Sequence, residues 1–432
     1  MGENQGGKPI VATPSLMDAT RIWLKVGLLS FGGPAAQIAL MHRLLVEEMR
    51  WLSEKQYLNA LSFCMLLPGP EAMQLATYAG WRLHGVVGGL IAGLLFVLPG
   101  AVVILSLALV YAVLGDISLV NALFLGIKAA VLIIVLEALF RVARKSLNGP
   151  IFWWIAALAF IGIFFFALPY PLIVVLAAGV GFIKGAKTDG ASTDVGQLRG
   201  TLPKTFLTIL IWLALWALPL FLVSYWVDHP ILNDVGVFFS RLAVVTFGGA
   251  YAVLAYMGQE VVSQFGWLTA GEMMDGLGLA ETTPGPLILV TEFVGFIAAY
   301  REGGMGLGLA GAAITLWVTF VPCFLWIFAG APYIEWICHQ PRLKGALSAI
   351  SAAVVGVILN LSIWFALHVI FSELTLQKHG PLHLWRPDFA SIDWRVVGLS
   401  LICGLAIFKY HWSILKTLAL SAGIGIVLAY FI

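Results

Sequence analysis

Two short motifs, each written twice, carry the chemistry of this chain. Phe31-Gly32-Gly33 is followed by Pro68-Gly69-Pro70, and Phe247-Gly248-Gly249 by Pro284-Gly285-Pro286. Inside apolar segments such motifs interrupt a helix, and the backbone groups they free must line a cavity or bind something, because lipid offers no partner. In the first motif Pro34 can open a new half-helix, where its missing N–H costs nothing. The N–H groups of Ala35, Ala36 and Gln37 then point toward the break. Pro70 does the same for Glu71, Ala72 and Met73, and Pro286 for Leu287, Ile288 and Leu289. Donor N–H groups at the positive end of a helix dipole hold anions. Gly32, Gly33, Gly69, Gly248, Gly249 and Gly285 are therefore substrate-binding candidates, with Gln37 and Gln74 as neutral donors beside them. The plain alternative is that the motifs only allow kinks or close packing, but four breaks at related positions weigh against it. Ala250 replaces the proline after the second Phe-Gly-Gly, so the two halves are not equivalent.

Charged residues near these breaks are costly in an apolar chain. Lys128 sits in the middle of the run 119–140, too deep to reach water easily, and an ionisable group there is a functional candidate by default. A structural pairing with Glu137 or a carbonyl is the competing reading. Lys25 and Arg241 lie one to two turns before their breaks and can serve as paired cations or as headgroup anchors; Arg43 and Arg82 flank the breaks of the first half. Glu71, Glu281, Glu292 and Asp275 cluster around the Pro-Gly-Pro motifs, where carboxylates suit proton binding and release. An acid in a first helical turn, as Glu71 is, can equally be there for the dipole. Cys64, Cys323, Cys338 and Cys403 stand singly, without metal or redox spacing, and read as small core residues. No metal and no cofactor are expected.

The positions of the motifs define the elements that must hold them. 247 − 31 and 284 − 68 both give 216 residues, Trp51 maps onto Trp267, and Lys25 onto Arg241. Later the register slips by about seven, so that Lys128-Ala-Ala-Val131 falls on Ser351-Ala-Ala-Val354. This is an internal duplication, which in a membrane protein points to a transporter built from two repeats. The membrane reading rests on composition: 61% of 432 residues are hydrophobic, 11% are charged and mean hydropathy is +0.97. A soluble domain carries about 25% charged residues. Apolar runs recur at 84–114, 151–167, 169–183, 205–227, 304–329 and 412–432, most of them longer than the ~18 residues that cross a bilayer as helix. Strand alternation is absent. The first 14 residues are polar without a basic lead into an apolar core, so no cleavable signal peptide is expected. A net charge of +2 excludes a nucleic-acid surface.

Loop charges set the orientation. Lys184, Lys187, Arg199 and Lys204 mark the polar stretch 184–204 as cytoplasmic. Arg141, Arg144 and Lys145 should share that side, as should Arg342 with Lys344 and Lys409 with Lys416. If all four broken segments cross, the chain has thirteen spans and the basic loop 42–55 faces outward. If they are re-entrant hairpins, nine spans remain and that loop stays cytoplasmic. Its copy, 258–271, then lies outside and holds no Lys or Arg, which favours the re-entrant version. Either count inverts the second repeat. The expected fold is an all-α integral membrane protein of two inverted-topology repeats, with broken, re-entrant helices at the Phe-Gly-Gly and Pro-Gly-Pro motifs. Its parts are a polar tail (1–14), a first repeat (15–183), a cytoplasmic linker with a bridging transmembrane helix (184–233) and a second repeat (234–432).

The run from Phe31 through Gly-Gly-Pro-Ala-Ala-Gln-Ile-Ala-Leu-Met-His to Arg43, then Trp51-Leu-Ser-Glu54, Cys64-Met-Leu-Leu-Pro-Gly-Pro-Glu71 and Gln74-Leu-Ala-Thr77, resembles the chromate ion transporter family in its long, two-repeat form. The resemblance extends over nearly the whole chain. It implies an inner-membrane, multi-pass efflux protein for chromate, driven by the proton gradient or membrane potential and conferring resistance, with a cytoplasmic N-terminus. The Lys128/Ser351 asymmetry and Ala250 depart from a symmetric substrate site. Sulfate and molybdate share the charge and shape of chromate and stay open as substrates, and an oxyanion channel is the alternative of another class. An enzyme is not expected, because no metal cluster, paired-cysteine centre or nucleophile–base pair is in the sequence. The partners implied are the oxyanion and the bilayer, with a homodimer left open.

Overall fold

The computed structural model describes residues 14–115, 117–186, 202–227, 229–247, 250–338 and 340–431. Each half begins with two helical hairpins. In the first half these are α1 (Leu16–Leu29) with α2 (Gly33–His42), then α3 (Glu54–Cys64) with the opening arm of α4 (Glu71–Leu114). The rest of that half is α5 (Ser118–Ser146), α6 (Pro150–Phe164) and α7 (Tyr170–Ala186), and α8 (Leu202–Leu222) bridges to the second half. The second half repeats the order: α9 (Pro230–Val245), α10 (Ala250–Gln259), α11 (Ala270–Thr282), α12 (Val290–Gly330), the short α13 (Ile334–Cys338) and α14 (Pro341–Ile370). A two-stranded hairpin, β1 (Leu374–His379) with β2 (Leu382–Pro387), precedes α15 (Trp394–Gly404) and α16 (Ile414–Phe431).

The turns of α4 and α12 explain how the hairpins form. α4 is two helical arms joined by a fold-back at His84-Gly85, where the backbone leaves the helical conformation, and α12 is built the same way around Gly303-Gly304. Gly80 meets the Gly88 carbonyl across the first fold, at a distance where a Cβ would sit 2.3 Å from that oxygen. Small residues of this kind let helix backbones approach in a membrane, where there is no hydrophobic force between helices. Ser53 and Thr269 start α3 and α11 with matching capping boxes, closed by Gln56 and Glu272.

Contacts fix the direction of every segment. α1 runs beside the long arm of α4, since His84 Nε2 lies 2.8 Å from the Pro14 carbonyl while Gly27 abuts the Leu95 carbonyl. Gly89 abuts Phe328 and Gly93 abuts Phe324, so the long arms of α4 and α12 are antiparallel. That is the inversion expected from the loop charges. α1–α2 and α3–α4 enter and leave on the face of the first helix, here the N-terminal face, while α9–α10 and α11–α12 do so on the distal face. The re-entrant arrangement therefore holds, and the basic loop around Arg50 and Lys55 lies with Arg144, Lys184 and Arg342 on the N-terminal face. Of the bridging segment, 187–201 lies outside the described residues, and α8 follows it as an apolar helix long enough to cross.

The outer helices are exchanged between halves. α6 and α7 pack on α14, and α15 and α16 pack on α5. Gly181 meets Gly345 in the first exchange, and the Ser421 hydroxyl donates to the Gly126 carbonyl (2.7 Å) in the second. One asymmetry matters for function. α5 packs on α11, and α14 on α10 and α11, whereas no comparable packing joins α2 or α3 to α5 or α14 among the described residues. The β-hairpin is the local departure from an all-helical reading: its alternation is short and lies outside the apolar runs, anchored at the distal face by the His383 N–H donating to the Phe165 carbonyl.

Candidate functional site

The four breaks meet in pairs across the halves. The Gly285 N–H donates to the Ser30 carbonyl (2.8 Å), and the Gly69 N–H donates to the Thr246 carbonyl (2.9 Å). Ser30 and Thr246 are themselves 216 residues apart and leave their helices with the same backbone turn, ψ 62° and 72°. Each Pro-Gly-Pro is thus locked to the Phe-Gly-Gly of the other half. Both paired hydroxyls bond back into their own helix, Ser30 to the Val26 carbonyl and Thr246 to the Leu242 carbonyl. Gly69 and Gly285 hold φ of +118° and +90°, conformations closed to other L-residues at low cost. A Cβ on Gly69 would also sit 2.8 Å from Gln74 Nε2 and 2.9 Å from Cys323 Sγ.

The glutamines serve the breaks, but through carbonyls. Gln37 Nε2 donates to Gly285 O (2.6 Å) and Ser30 O (3.2 Å), stitching the crossed pair from the first half only; its repeat mate is Val253. Gln74 Nε2 donates to the Pro68 carbonyl (2.7 Å), leaving its own buried oxygen without a partner among the described residues. The N–H groups of Gly69 and Gly285 are therefore spent on the opposing half. The start of α2 has no side-chain cap and keeps its N–H donors, whereas at the start of α4 the Glu71 carboxylate already meets its own N–H. After Pro286 the chain makes a 3-10 turn, Leu287–Leu289, in which the Leu289 N–H returns to the Pro286 carbonyl. Gly248 and Gly249 lie outside the described residues.

Lys128 takes neither of the partners considered from sequence. Its Nζ lies 3.4 Å from Asp275 Oδ2, and Tyr111 donates to the same oxygen (3.0 Å). Asp275 is buried and its other oxygen has no partner among the described residues. This cluster joins α5 of one half to α11 of the other. It stands on the distal side of the breaks, because Asp275 precedes Pro284 by nine residues, roughly 13 Å of helix.

A second polar cluster does reach the breaks. Tyr251, two residues past the second Phe-Gly-Gly, donates to Glu281 Oε1 (2.7 Å), and both side chains are buried. Arg141 and Glu137 on α5 lie within electrostatic range of this pair. Arg141 grips Glu137 with both Nε (3.1 Å) and a terminal nitrogen. One turn further, Lys145 lies within electrostatic range of Glu71, the residue after the first Pro-Gly-Pro. Glu137, Arg141 and Lys145 thus form an i, i+4, i+8 stripe on α5 that runs past both breaks. Loop charge alone marks only the side on which Arg141 lies; its i+4 spacing from Glu137, at the end of the apolar run 119–140, is the signal for the pair.

The remaining candidates scatter. Lys25, Arg82 and Arg241 are exposed, and Arg43 pairs with Glu48 (3.4 Å) at the N-terminal face. Arg82 occupies the place before its fold that Arg301 has in the second half, where Arg301 binds Glu272 and the Trp267 carbonyl. Glu292 is buried in α12 with one oxygen unpartnered among the described residues. On the distal side, a cavity of about 230 Å³ lined by Tyr170, Tyr256, Gln259, Glu260 and Asn360 lies between α7, α10 and α14. Tyr170 at its floor donates to the Phe247 carbonyl (3.4 Å), beside the second break. Among the described residues no group of His, Cys, Asp and Glu has the arrangement of a metal site.

A family model described as "Chromate transporter" matches residues 17–182 and 233–426, the two halves separately. The chain belongs to the chromate transporter family. It is 34% identical to a "Chromate transport protein" of Pseudomonas aeruginosa over 90% of this chain and 86% of that protein. It is 30% identical to a "Probable chromate transport protein" of Synechococcus elongatus, covering 80% of this chain and 83% of the relative. Identity to a "Chromate transport protein" of Cupriavidus metallidurans is 29%, over 80% and 81% of the two chains. No solved structure matches. As a chromate transporter family member with long apolar helices, the protein is a multi-pass membrane protein.

Proposed function

We propose that this chain is a secondary transporter that exports chromate across the cytoplasmic membrane, driven by the proton gradient or the membrane potential, and so confers chromate resistance. The observation that carries the reading is the reciprocal pairing of the two breaks, with a cationic stripe of α5 beside them. Chromate is a tetrahedral dianion and asks for converging N–H donors with fixed cations. Broken helices meeting between inverted repeats are where secondary transporters bind their substrates. The halves correspond to 15–183 and 234–432, bridged by 184–233, and the cation-rich N-terminal face is cytoplasmic by the positive-inside bias.

The packing asymmetry supports an inward-facing state. Hairpins α9–α10 and α11–α12 are packed against α5 and α14 at the distal face, tied by Lys128, Asp275 and Tyr111. The first-half hairpins leave the cytoplasmic side of α5 open. Moving outward would loosen the Lys128–Asp275 tie and bring α3 toward α14, where Asn59 and Ser351 hold the positions equivalent to Asp275 and Lys128. Glu281 and Glu292, buried beside the second break, are the carboxylates best placed to carry a proton.

Inside-out membrane vesicles test the reading. Energised vesicles holding the protein should accumulate chromate, and Gly69→Ala or Gly285→Ala should abolish accumulation while the protein stays in the membrane. Vesicles that match those lacking the protein would overturn it. Competition by sulfate or molybdate decides how selective the site is.

A further inference from the structure

Resting on that reading, we propose that Arg141 is the cation that receives the oxyanion at the crossed breaks, and that Glu137 is its resident substitute, displaced when the substrate arrives. The first ground is position. The charged stripe of α5 runs past both motifs, with Arg141 within electrostatic range of Tyr251 and Glu281 at the second Pro-Gly-Pro, and Lys145 within range of Glu71 at the first. The second is geometry. Arg141 holds Glu137 through Nε and a terminal nitrogen, the planar fork that also matches two oxygens of a tetrahedral oxyanion. The carboxylate thus occupies the ligand's place.

The third ground is access. The Arg141 and Glu137 side chains are 39% and 28% exposed, whereas Glu281 and Tyr251 beside them are 7% and 8% exposed. The fork is therefore partly exposed beside a closed wall, so Glu137 is not locked in by surrounding packing. The fourth is charge. Glu281 lies within electrostatic range of Arg141 as well as Glu137, so Arg141 keeps a compensating carboxylate nearby while Glu137 swings away. A dianion exchanging with Glu137 gains the guanidinium and the nearby Lys145, whose long side chain comes from the next turn of the same face. Arg141 is a ligand in this account, and Glu137 a competitor that keeps the site compensated when empty.

The two residues should therefore respond in opposite directions, which a structural ion pair would not. Initial rates of chromate uptake are measured over a concentration series in inside-out vesicles, normalised to protein in the membrane. Glu137→Gln should lower KM severalfold. Arg141→Lys, which keeps charge but loses the fork, should raise KM at least tenfold. The paired change Glu137→Gln with Arg141→Gln removes both members of the ion pair while Glu281 keeps its Tyr251 hydrogen bond, so it should fold and should show no saturable uptake. Arg144→Gln, an exposed neighbour on α5, should keep the wild-type KM. A rise in KM for Glu137→Gln as well as Arg141→Lys would show a structural bridge and overturn the proposal. A wild-type KM for Arg141→Lys would do the same, while leaving the transport reading intact. Absence of uptake by the wild type would overturn both.

Discussion

At the scale of single residues, the breaks are held by backbone groups of the opposite half, and side chains guard what remains. Gly69 and Gly285 are irreplaceable on two counts, their positive φ and the N–H each sends across. Gln37 matters because it binds both carbonyls of one crossed pair, so Gln37→Leu should remove hydrogen bonds from two buried acceptors and cost about 1–3 kcal/mol, seen as a lower melting temperature in detergent. A melting point equal to wild type would show that water or another donor replaces the amide. Lys128 is predicted to act through Asp275. Lys128→Met alone leaves a buried carboxylate unpaired and should destabilise by about 3–5 kcal/mol, whereas pairing it with Asp275→Leu should recover most of the loss. Additive losses in the two single variants and the double would separate the two residues. The motifs themselves were legible in sequence, since only Gly and Pro combine to break a helix there. The partner of Lys128 was not, because Asp275 comes from a segment more than a hundred residues away, whereas the Glu137–Arg141 pair is written as an i+4 spacing at the edge of an apolar run.

At the scale of elements, duplication predicted the order of helices but not the exchange of α6–α7 and α15–α16 between halves. Repeat spacing says which segments are alike, and nothing in it says which copy an apolar helix will lean on when both offer the same face. The exchange depends on close backbone approach at a few glycines. A Cβ on Gly181 would lie 2.2 Å from the Gly345 carbonyl, while nothing lies within 4 Å of one on Gly179, two residues earlier on α7. Gly181→Val should therefore lower the melting temperature sharply and Gly179→Val leave it nearly unchanged, since small residues carry helix packing in a bilayer. Equal effects of the two substitutions would remove the α7–α14 contact from the account. The β-hairpin is not legible in the sequence for another reason: each strand is only six residues long and mostly exposed, so no buried face imprints a clear alternation.

For the whole molecule, inversion was the feature most firmly written in the sequence, because the charge contrast between 42–55 and its copy depends on side rather than on fold detail. The structure agrees through the antiparallel long arms of α4 and α12. Single cysteines at Lys55 and Ser263, in a background without native cysteines, should react with an impermeant thiol reagent from opposite faces of the membrane. Labelling of both from one face would contradict the inverted repeats. The central claim, that crossed breaks carry an oxyanion between two states rather than through an open pore, is tested most directly with purified protein in liposomes. With an imposed potential that favours chromate entry, the cytoplasmic face outward and protonophore absent or present, the account predicts saturable chromate uptake that external sulfate slows by competition and that Glu137→Gln and Arg141→Lys shift in opposite senses. Uptake that rises linearly with chromate concentration and ignores both substitutions would contradict it.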